Sequence, residues 1–387
     1  MASLLITNAT LYDGAGTDSP CDVLVTDGTI EQIGEMSPSV CADRVLDAKG
    51  HILAPGLIDV HIQGAGGADT LDATPEALEA ISKTCARFGV TGFLATTVYM
   101  PGQENRHLTV AADCVDRDLG GARLLGIHLE SPFISPEKRG MIQPECITSP
   151  SPAILEEIYK LTGETLKMMV IAPELPGSIE IIKTLTDRGT VACLGHSAAA
   201  YDDARRGFEA GISHITHLFN AMPSLHHRAP GPLGAIFETD SITCQVITDG
   251  VHIHPSIVRL AYAALGADRF VTITDGIQAL GLPDGKYVYN GVEYEARDGA
   301  ARYADGTLIG TALGLNHMLA RLTDFTGCSR IEAVNTATRN AAAVLGLQDA
   351  KGTIETGKDA DLVLLNKDWS VHATIVGGTV VYQAQDN

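Results

Sequence analysis

The stretch Leu124-Leu-Gly-Ile-His-Leu-Glu130 is a short apolar run that ends on a carboxylate. Three later runs close on a polar residue in the same way: Thr190-Val-Ala-Cys-Leu-Gly-His196, Ser213-His-Ile-Thr-His217 and Phe270-Val-Thr-Ile-Thr-Asp275. Apolar runs this short, bounded by Gly, Pro and polar residues, read as strands buried on both faces. Working outward, the same pattern recurs at 57–62, 92–98, 166–172 and 243–248. Eight strand-like runs alternating with helix-like segments predict a (β/α)₈ TIM-like barrel. The C-terminal ends of such strands share one mouth, so Glu130, His196, His217 and Asp275 are expected to converge there.

The intervening segments fit. Thr74-Pro75 opens a helix with Thr as N-cap and Pro in the first turn. Leu78, Ile81, Cys85 and Phe88 follow at helical spacing and Gly89 stops it. Residues 202–210 read as a helix closed by Gly211, and 331–345 as one Ala-rich helix. The Gly-, Asp- and Tyr-rich stretch 281–306 reads as a hairpin excursion after the eighth strand.

Both ends of the chain have a different character. Leu4-Leu-Ile6, Cys21-Asp-Val-Leu-Val25 and Thr29-Ile-Glu-Gln-Ile33 are β-rich runs separated by the turn sequences Asp13-Gly-Ala-Gly16 and Thr26-Asp-Gly28. Asp361-Leu-Val-Leu-Leu365 and Ala373–382, broken by Gly377-Gly378, match them at the other end. Neither end forms a good sheet alone. Residues 1–54 and 352–387 are therefore expected to pair as one small β-sandwich domain, with 55–351 as the barrel.

Composition narrows the function. The 387 residues carry 27 Lys plus Arg against 47 Asp plus Glu, a formal charge of −20. Nucleic acid is excluded as a partner, because it demands a basic surface. An anionic substrate needs a local cluster of Arg, His or backbone N–H against the overall field. The eight cysteines form no C-x-x-C pair, and no apolar run reaches the roughly 18 residues of a membrane span. Together with an N-terminus lacking a basic region, this reads as a soluble, cytoplasmic protein with no membrane partner.

Two imidazoles and a carboxylate can hold a divalent metal, and a further carboxylate can move a proton. In Pro55-Gly-Leu-Ile-Asp-Val-His61-Ile-Gln63, His61 and Gln63 share a strand face. His128 and Glu130 share another, with Glu130 the better ligand because Ser131-Pro132 breaks the strand just after it. His214 and His217 are at odd spacing and should face opposite ways, which selects His217. Asp275, before Gly276, suits a general base. After the sixth strand, Asn220-Ala-Met-Pro and His226-His-Arg228 form a polar cluster, and His252 follows the seventh. Arg228 offers a forked donor for phosphate.

These motifs together resemble the N-acetylglucosamine-6-phosphate deacetylase family of the amidohydrolase superfamily. The similar stretches are Pro55-Gly-Leu-Ile-Asp59, His128-Leu-Glu130, Gly195-His-Ser197, Thr216-His-Leu-Phe-Asn-Ala-Met222, Arg228-Ala-Pro-Gly231, Asp249-Gly-Val-His252, Thr274-Asp-Gly276 and Gly357-Lys-Asp-Ala-Asp-Leu-Val363. The resemblance implies that Glu130, His196 and His217 bind the catalytic metal and that Asp275 is the acid/base. It further implies that Asn220, Ala221, Arg228 and His252 hold an amino-sugar phosphate. It implies a homodimer in which Arg228 reaches into the neighbouring subunit's site. One divalent metal per subunit is expected, Zn²⁺ or Fe²⁺, with His61 offered to a second site.

Three positions depart from the family pattern. The first strand carries His61-Ile-Gln63, neither a His-x-His pair nor a pair lacking histidine. Glu-Gly-Pro is Glu130-Ser-Pro132, which adds a side chain beside the metal. Ile142 stands where relatives commonly carry a histidine that polarises the scissile carbonyl, and loss of such a donor costs on the order of 10²–10³ in rate. Two rival readings follow from Ser131 and Ile142 and from homology alone: an amidohydrolase acting on another amide or a cyclic imide, and a non-catalytic binding relative.

Overall fold

The computed structural model describes residues 2–12, 20–37, 40–289 and 291–385. The expected turn at residues 13–16 lies outside the described residues.

Eight parallel strands form the barrel: Leu57–Ile62, Val90–Thr97, Arg123–Leu129, Leu166–Ile171, Val191–Leu194, His214–Ile215, Thr243–Ile247 and Phe270–Ile273. They hydrogen-bond in sequence order from first to eighth. The ring closes where Asp275 N–H donates to His61 O at 3.0 Å and Ile62 bridges Gly276 in parallel. Every residue of the first two strands is buried, as strands covered on both faces require. The helix Pro75–Arg87 starts on the Thr74 cap, whose hydroxyl accepts from Ala77 N–H. Its stop comes at Phe88 and Gly89, where φ is +82°.

Three local expectations change. The sixth strand is only two residues long, because the chain turns left-handed at His217, Phe219 and Ala221. Strict alternation therefore fails. His217 lies 5.6 Å from His61 ring to ring, and buried His214 also feels the charge of His61. Both imidazoles are inside the barrel. The Ala-rich segment splits into Arg330–Thr336 and Arg339–Val344. Hydroxyls of Thr336 and Thr338 turn back onto Ala333 O and Val334 O, and the break frees Ala337 O to accept Ile58 N–H at 2.7 Å. That carbonyl docks the segment on the first barrel strand. The excursion after the eighth strand is a four-stranded antiparallel meander, Gly285–Tyr289, Val292–Arg297, Ala300–Tyr303 and Leu308–Thr311. It packs its own cluster around Tyr289, Tyr294 and Ile309, then returns to the mouth where Thr311 N–H donates to Asp275 O at 2.9 Å.

The chain ends share an eight-stranded sheet. Ile52–Pro55 pairs antiparallel with Leu362–Leu365, which joins the two ends. The sheet forks along Ser3–Leu11: one stretch pairs with Arg44–Asp47, the next with Ile52–Pro55. Leu4, Ile6, Val23, Ile30, Leu46 and Leu362 close on one apolar cluster within it. The other face of its central strands, with Val363, Leu365 and Val371, belongs to the barrel core. Thr374 fixes this contact by donating to Ala86 O at 2.7 Å.

Among the described residues no helix is long and apolar enough to cross a membrane. The cysteines are free thiols; Cys85, Cys114, Cys146, Cys193 and Cys244 are buried and Cys41 is exposed.

Lys351 anchors the return into the terminal sheet. Its ammonium, 8% exposed, sits 2.5 Å from both Asp359 and Asp361. Replacing it leaves Asp361 buried without a cation, and removing one partner of a buried pair costs roughly 3–5 kcal/mol. Lys351→Met is expected to lower stability by about 3 kcal/mol. Urea denaturation followed by circular dichroism checks this, with Lys83→Met as the surface control.

Candidate active site

Each of the four expected residues sits where its strand stops. Glu130 follows Leu129 directly, and its N–H donates to Thr97 O on the second strand at 2.9 Å. His196, His217 and Asp275 adopt φ of 45°, 30° and 50°. Left-handed backbone at a residue other than glycine costs of order 1–3 kcal/mol and persists where its surroundings enforce it. Here it bends the chain at the strand end and turns the side chain into the mouth.

The carboxylate of Glu130 is the hub. Its Oε1 lies 3.3 Å from His61 Nε2, 3.4 Å from His196 Nε2 and 3.3 Å from His217 Nε2. The facing nitrogens of His196 and His217 are 2.9 Å apart. Ligand atoms of Glu130, His196 and His217 all fall within 4.8 Å of one another. Burial disfavours the charge on Glu130, but His61, His196 and His217 outweigh it and hold the acid well below its ordinary range.

The ring orientations suit a cation. His196 Nδ1 is 2.8 Å from Lys138 O, which assigns the proton to Nδ1 and turns the Nε2 lone pair inward. The Nε2 atoms of His196 and His217, 2.9 Å apart beside a carboxylate, match the donors of a divalent metal site. The residues present therefore fit the implied metal.

Asp275 faces the same space and is 8% exposed. Its Oδ1 is 3.2 Å from His61 Nε2 and accepts from Gln63 Nε2 at 3.2 Å. Gln63 also reaches Glu130 Oε2 at 3.4 Å, so His61 and Gln63 do share a face. Burial would raise Asp275; the charge of His61 overrides it and keeps the acid ionised. On the same grounds burial opposes protonation of His61, but Glu130 and Asp275 together raise it well above the usual imidazole value. Below the site, His128 and His214 are depressed to about 3 by burial and by the charge of His61, so both are neutral spectators.

The cleft around these groups has about 210 Å³ of room for water-sized groups and is lined also by Asn220, Ala221, His252 and Ile142. His252 is fixed by Asp249, whose carboxylate meets Nδ1 at 2.6 Å and accepts His252 N–H at 2.8 Å. Nε2 of His252 is thereby left for the cleft. Arg228 does not line it: its guanidinium is on an exposed loop, 2.7 Å from His227 Nε2. Leu308, Ile309 and Gly310 of the meander complete the wall.

Sequence reasoning did not single out Gln245. It is fully buried on the seventh strand, and its Oε1 is 2.8 Å from His61 Nδ1 and accepts His217 N–H at 3.4 Å. A lone amide inside the apolar run 243–248 was the available signal. Ser131 does not crowd the site. Its hydroxyl accepts Tyr99 N–H at 2.8 Å and donates to Tyr99 O at 3.2 Å, away from the cleft.

A model of the amidohydrolase family matches residues 52–381. The chain is 36% identical to N-acetylglucosamine-6-phosphate deacetylase of Bacillus subtilis over 367 residues, covering 94% of this chain and 93% of that one. It is 32% identical to N-acetylgalactosamine-6-phosphate deacetylase of Escherichia coli O157:H7 over 355 residues, 92% and 93% of the two chains. Its fold superposes with a TM-score of 0.90 on a mutant N-acetyl-D-glucosamine-6-phosphate deacetylase from Mycobacterium smegmatis solved with N-acetyl-D-glucosamine-6-phosphate. That pair is 31% identical and covers 98% and 100% of the two chains.

The orientation of Ser131 has a measurable consequence. Ser131→Ala strands the buried Tyr99 N–H, which costs about 1–3 kcal/mol. Denaturation is expected to register that loss while metal content, measured by atomic emission, stays at the wild-type level.

Proposed function

The chain belongs to the amidohydrolase family, and within it we propose hydrolysis of the N-acetyl group of an amino-sugar 6-phosphate, with N-acetylglucosamine 6-phosphate as substrate and glucosamine 6-phosphate plus acetate as products. The observation that carries this is the pairing of a Glu130–His196–His217 donor set with the Asp275 carboxylate across one cleft. The near full-length likeness to deacetylases named for such substrates gives the substrate class. The intact donor set disfavours a non-catalytic relative, and the rival amide or imide reading loses the support of Ser131, which turns away from the cleft, and keeps only that of Ile142 in the cleft wall.

Glu130, His196 and His217 are assigned one Zn²⁺ or Fe²⁺. When bound, the metal supplies Lewis acidity toward the amide oxygen and the attacking water. Asp275 accepts the proton of that water as its oxygen bonds to the acyl carbon. The C–N bond then breaks, Asp275 delivers the proton to the departing sugar nitrogen, and acetate leaves. His61 and Gln63 hold Asp275 Oδ1 in place through this exchange. Gln245 aims His61 by occupying its Nδ1. Ile142 has no hydrogen bond to donate to the carbonyl; a metal held by Glu130, His196 and His217 would supply that polarisation.

Asn220, Ala221 and His252 are assigned the sugar phosphate from within the cleft. Arg228 is assigned it from a second copy of the chain in a homodimer, which accounts for a phosphate-type donor on an exposed loop beside Leu225, 51% exposed. The strongly acidic chain makes such a local cation the means of drawing in an anion.

Two experiments test the assignment. Asp275→Asn is expected to lower kcat for acetate release by at least ~10³-fold with metal content unchanged; near-normal turnover would refute the role. Arg228→Ala is expected to lower kcat/KM for the 6-phosphate by about 10–100-fold while leaving the unphosphorylated sugar unaffected. Running the galacto isomer in the same assay ranks the two epimers, and equal loss on phosphorylated and unphosphorylated sugars would refute the clamp.

A further inference from the structure

Attack of water on an amide places negative charge on the carbonyl oxygen. A protein speeds that step by aiming fixed hydrogen-bond donors at the place where the charge develops. Five side chains with N–H groups line the cleft: Gln63, His196, His217, Asn220 and His252. Four of them are committed elsewhere. His196 and His217 belong to the donor set for the metal. Asn220 turns its amide back onto His217 O and Leu218 O, both at 3.3 Å. His252 is fixed by Asp249 and assigned to the phosphate. Ile142, in the same lining, has no donor in its side chain. Gln63 remains.

Gln63 stands where the reacting carbonyl has to come. Its Nε2 is 3.2 Å from Asp275 Oδ1 and 3.4 Å from Glu130 Oε2, so it bridges the proton carrier and the metal set. Its neighbours fix which way the amide points. Ionised carboxylates only accept, which turns the NH₂ group toward them, and Tyr289 O–H donates to Oε1 at 3.5 Å. The backbone beneath is clamped. Gln63 N–H donates to Gly276 O at 2.8 Å, and Gln63 O accepts both the N–H and the hydroxyl of Thr70 at 2.9 Å. A buried amide on a clamped backbone is already in place before the substrate arrives, as a donor to a transition state needs to be.

The two amide hydrogens have separate duties. One holds Asp275. The other faces Glu130 across 3.4 Å, longer than the roughly 2.9–3.0 Å of an ordinary N–H···O bond, and is the one at the disposal of a substrate. We propose that Gln63 is a catalytic residue, whose second N–H stabilises the oxyanion of the tetrahedral intermediate. The proposal rests on the deacetylase reading. As water oxygen bonds to the acyl carbon, the carbonyl π pair moves onto oxygen and Gln63 Nε2 donates a hydrogen bond to it. When the pair returns, the C–N bond breaks, the sugar nitrogen takes the proton held by Asp275, and acetate leaves. Gln63 gives up no proton at either step.

The test compares the metal-loaded wild-type enzyme with Gln63→Met, which keeps the length of the side chain and removes both N–H groups. One measurement is kcat/KM for acetate release from N-acetylglucosamine 6-phosphate. The other is the affinity for glucosamine 6-phosphate and for its methylphosphonamidate, whose tetrahedral phosphorus carries an anionic oxygen in place of the oxyanion. Loss of one such donor is expected to lower kcat/KM by about 10²–10³-fold and to weaken the phosphonamidate by about the same factor. Affinity for glucosamine 6-phosphate, which has no oxyanion, is expected to stay within about threefold, with metal content at the wild-type level. Gln63→Leu gives the same readouts should the methionine variant fail to fold. An unchanged kcat/KM overturns the oxyanion role. So does a fall in kcat/KM without a matching loss of phosphonamidate affinity, because Gln63 then acts only by holding Asp275. Either result leaves the deacetylase reading intact, whereas a wild-type enzyme that releases no acetate overturns both.

Discussion

A buried carboxylate needs positive charge nearby, and the whole mouth of this barrel is arranged around that need. Glu130 is 3% exposed at the end of the third strand, and three imidazoles from the first, fifth and sixth strands approach it within 3.3–3.4 Å. No one strand could supply them. A parallel barrel brings strand ends that are far apart in sequence onto one rim, and there the low dielectric strengthens every charge contact. Asp275 joins the cluster from the eighth strand and shares His61 with Glu130. His61 thus links the proposed metal set to the proposed proton carrier. Its own orientation is set by Gln245, from yet another strand.

Much of this was legible in the sequence. The apolar runs gave eight strands to within a few residues, because strands covered on both faces have little freedom in composition. Glu130, His196, His217 and Asp275 could be picked out because each directly follows or ends such a run. The failures have a common cause. Alternation separates His214 from His217 only while the backbone stays extended, and it leaves that state at His217. The Ala-rich segment has the propensity for one helix, but docking of Ala337 O on Ile58 N–H required a break. Gln245 matters through partners 28 and 184 residues distant, which no local pattern encodes.

Ser131 and Ile142 show how differently two departures from a family pattern can act. Ser131 finds both of its hydrogen bonds in the Tyr99 backbone and leaves the cleft alone. Ile142 stands in the wall of the cleft, and its backbone is hydrogen-bonded on both sides by Arg139. An apolar side chain there has no hydrogen bond to give the carbonyl. The meander adds Leu308–Gly310 to the cleft wall.

The sheet built from both chain ends imposes an order on biosynthesis. Ile52–Pro55 is hydrogen-bonded to Leu362–Leu365, about 310 residues later. At ~5–20 residues per second a ribosome needs roughly 15–60 s to cover that distance. Through that interval the early strands have one another, but the edge of Ile52–Pro55 that Leu362–Leu365 will cover stays open, and an open strand edge invites pairing with other chains. The barrel, whose strands pair with their immediate successors, assembles in step with translation. The joint between Ile52–Pro55 and Leu362–Leu365 is then among the last contacts of the molecule to form.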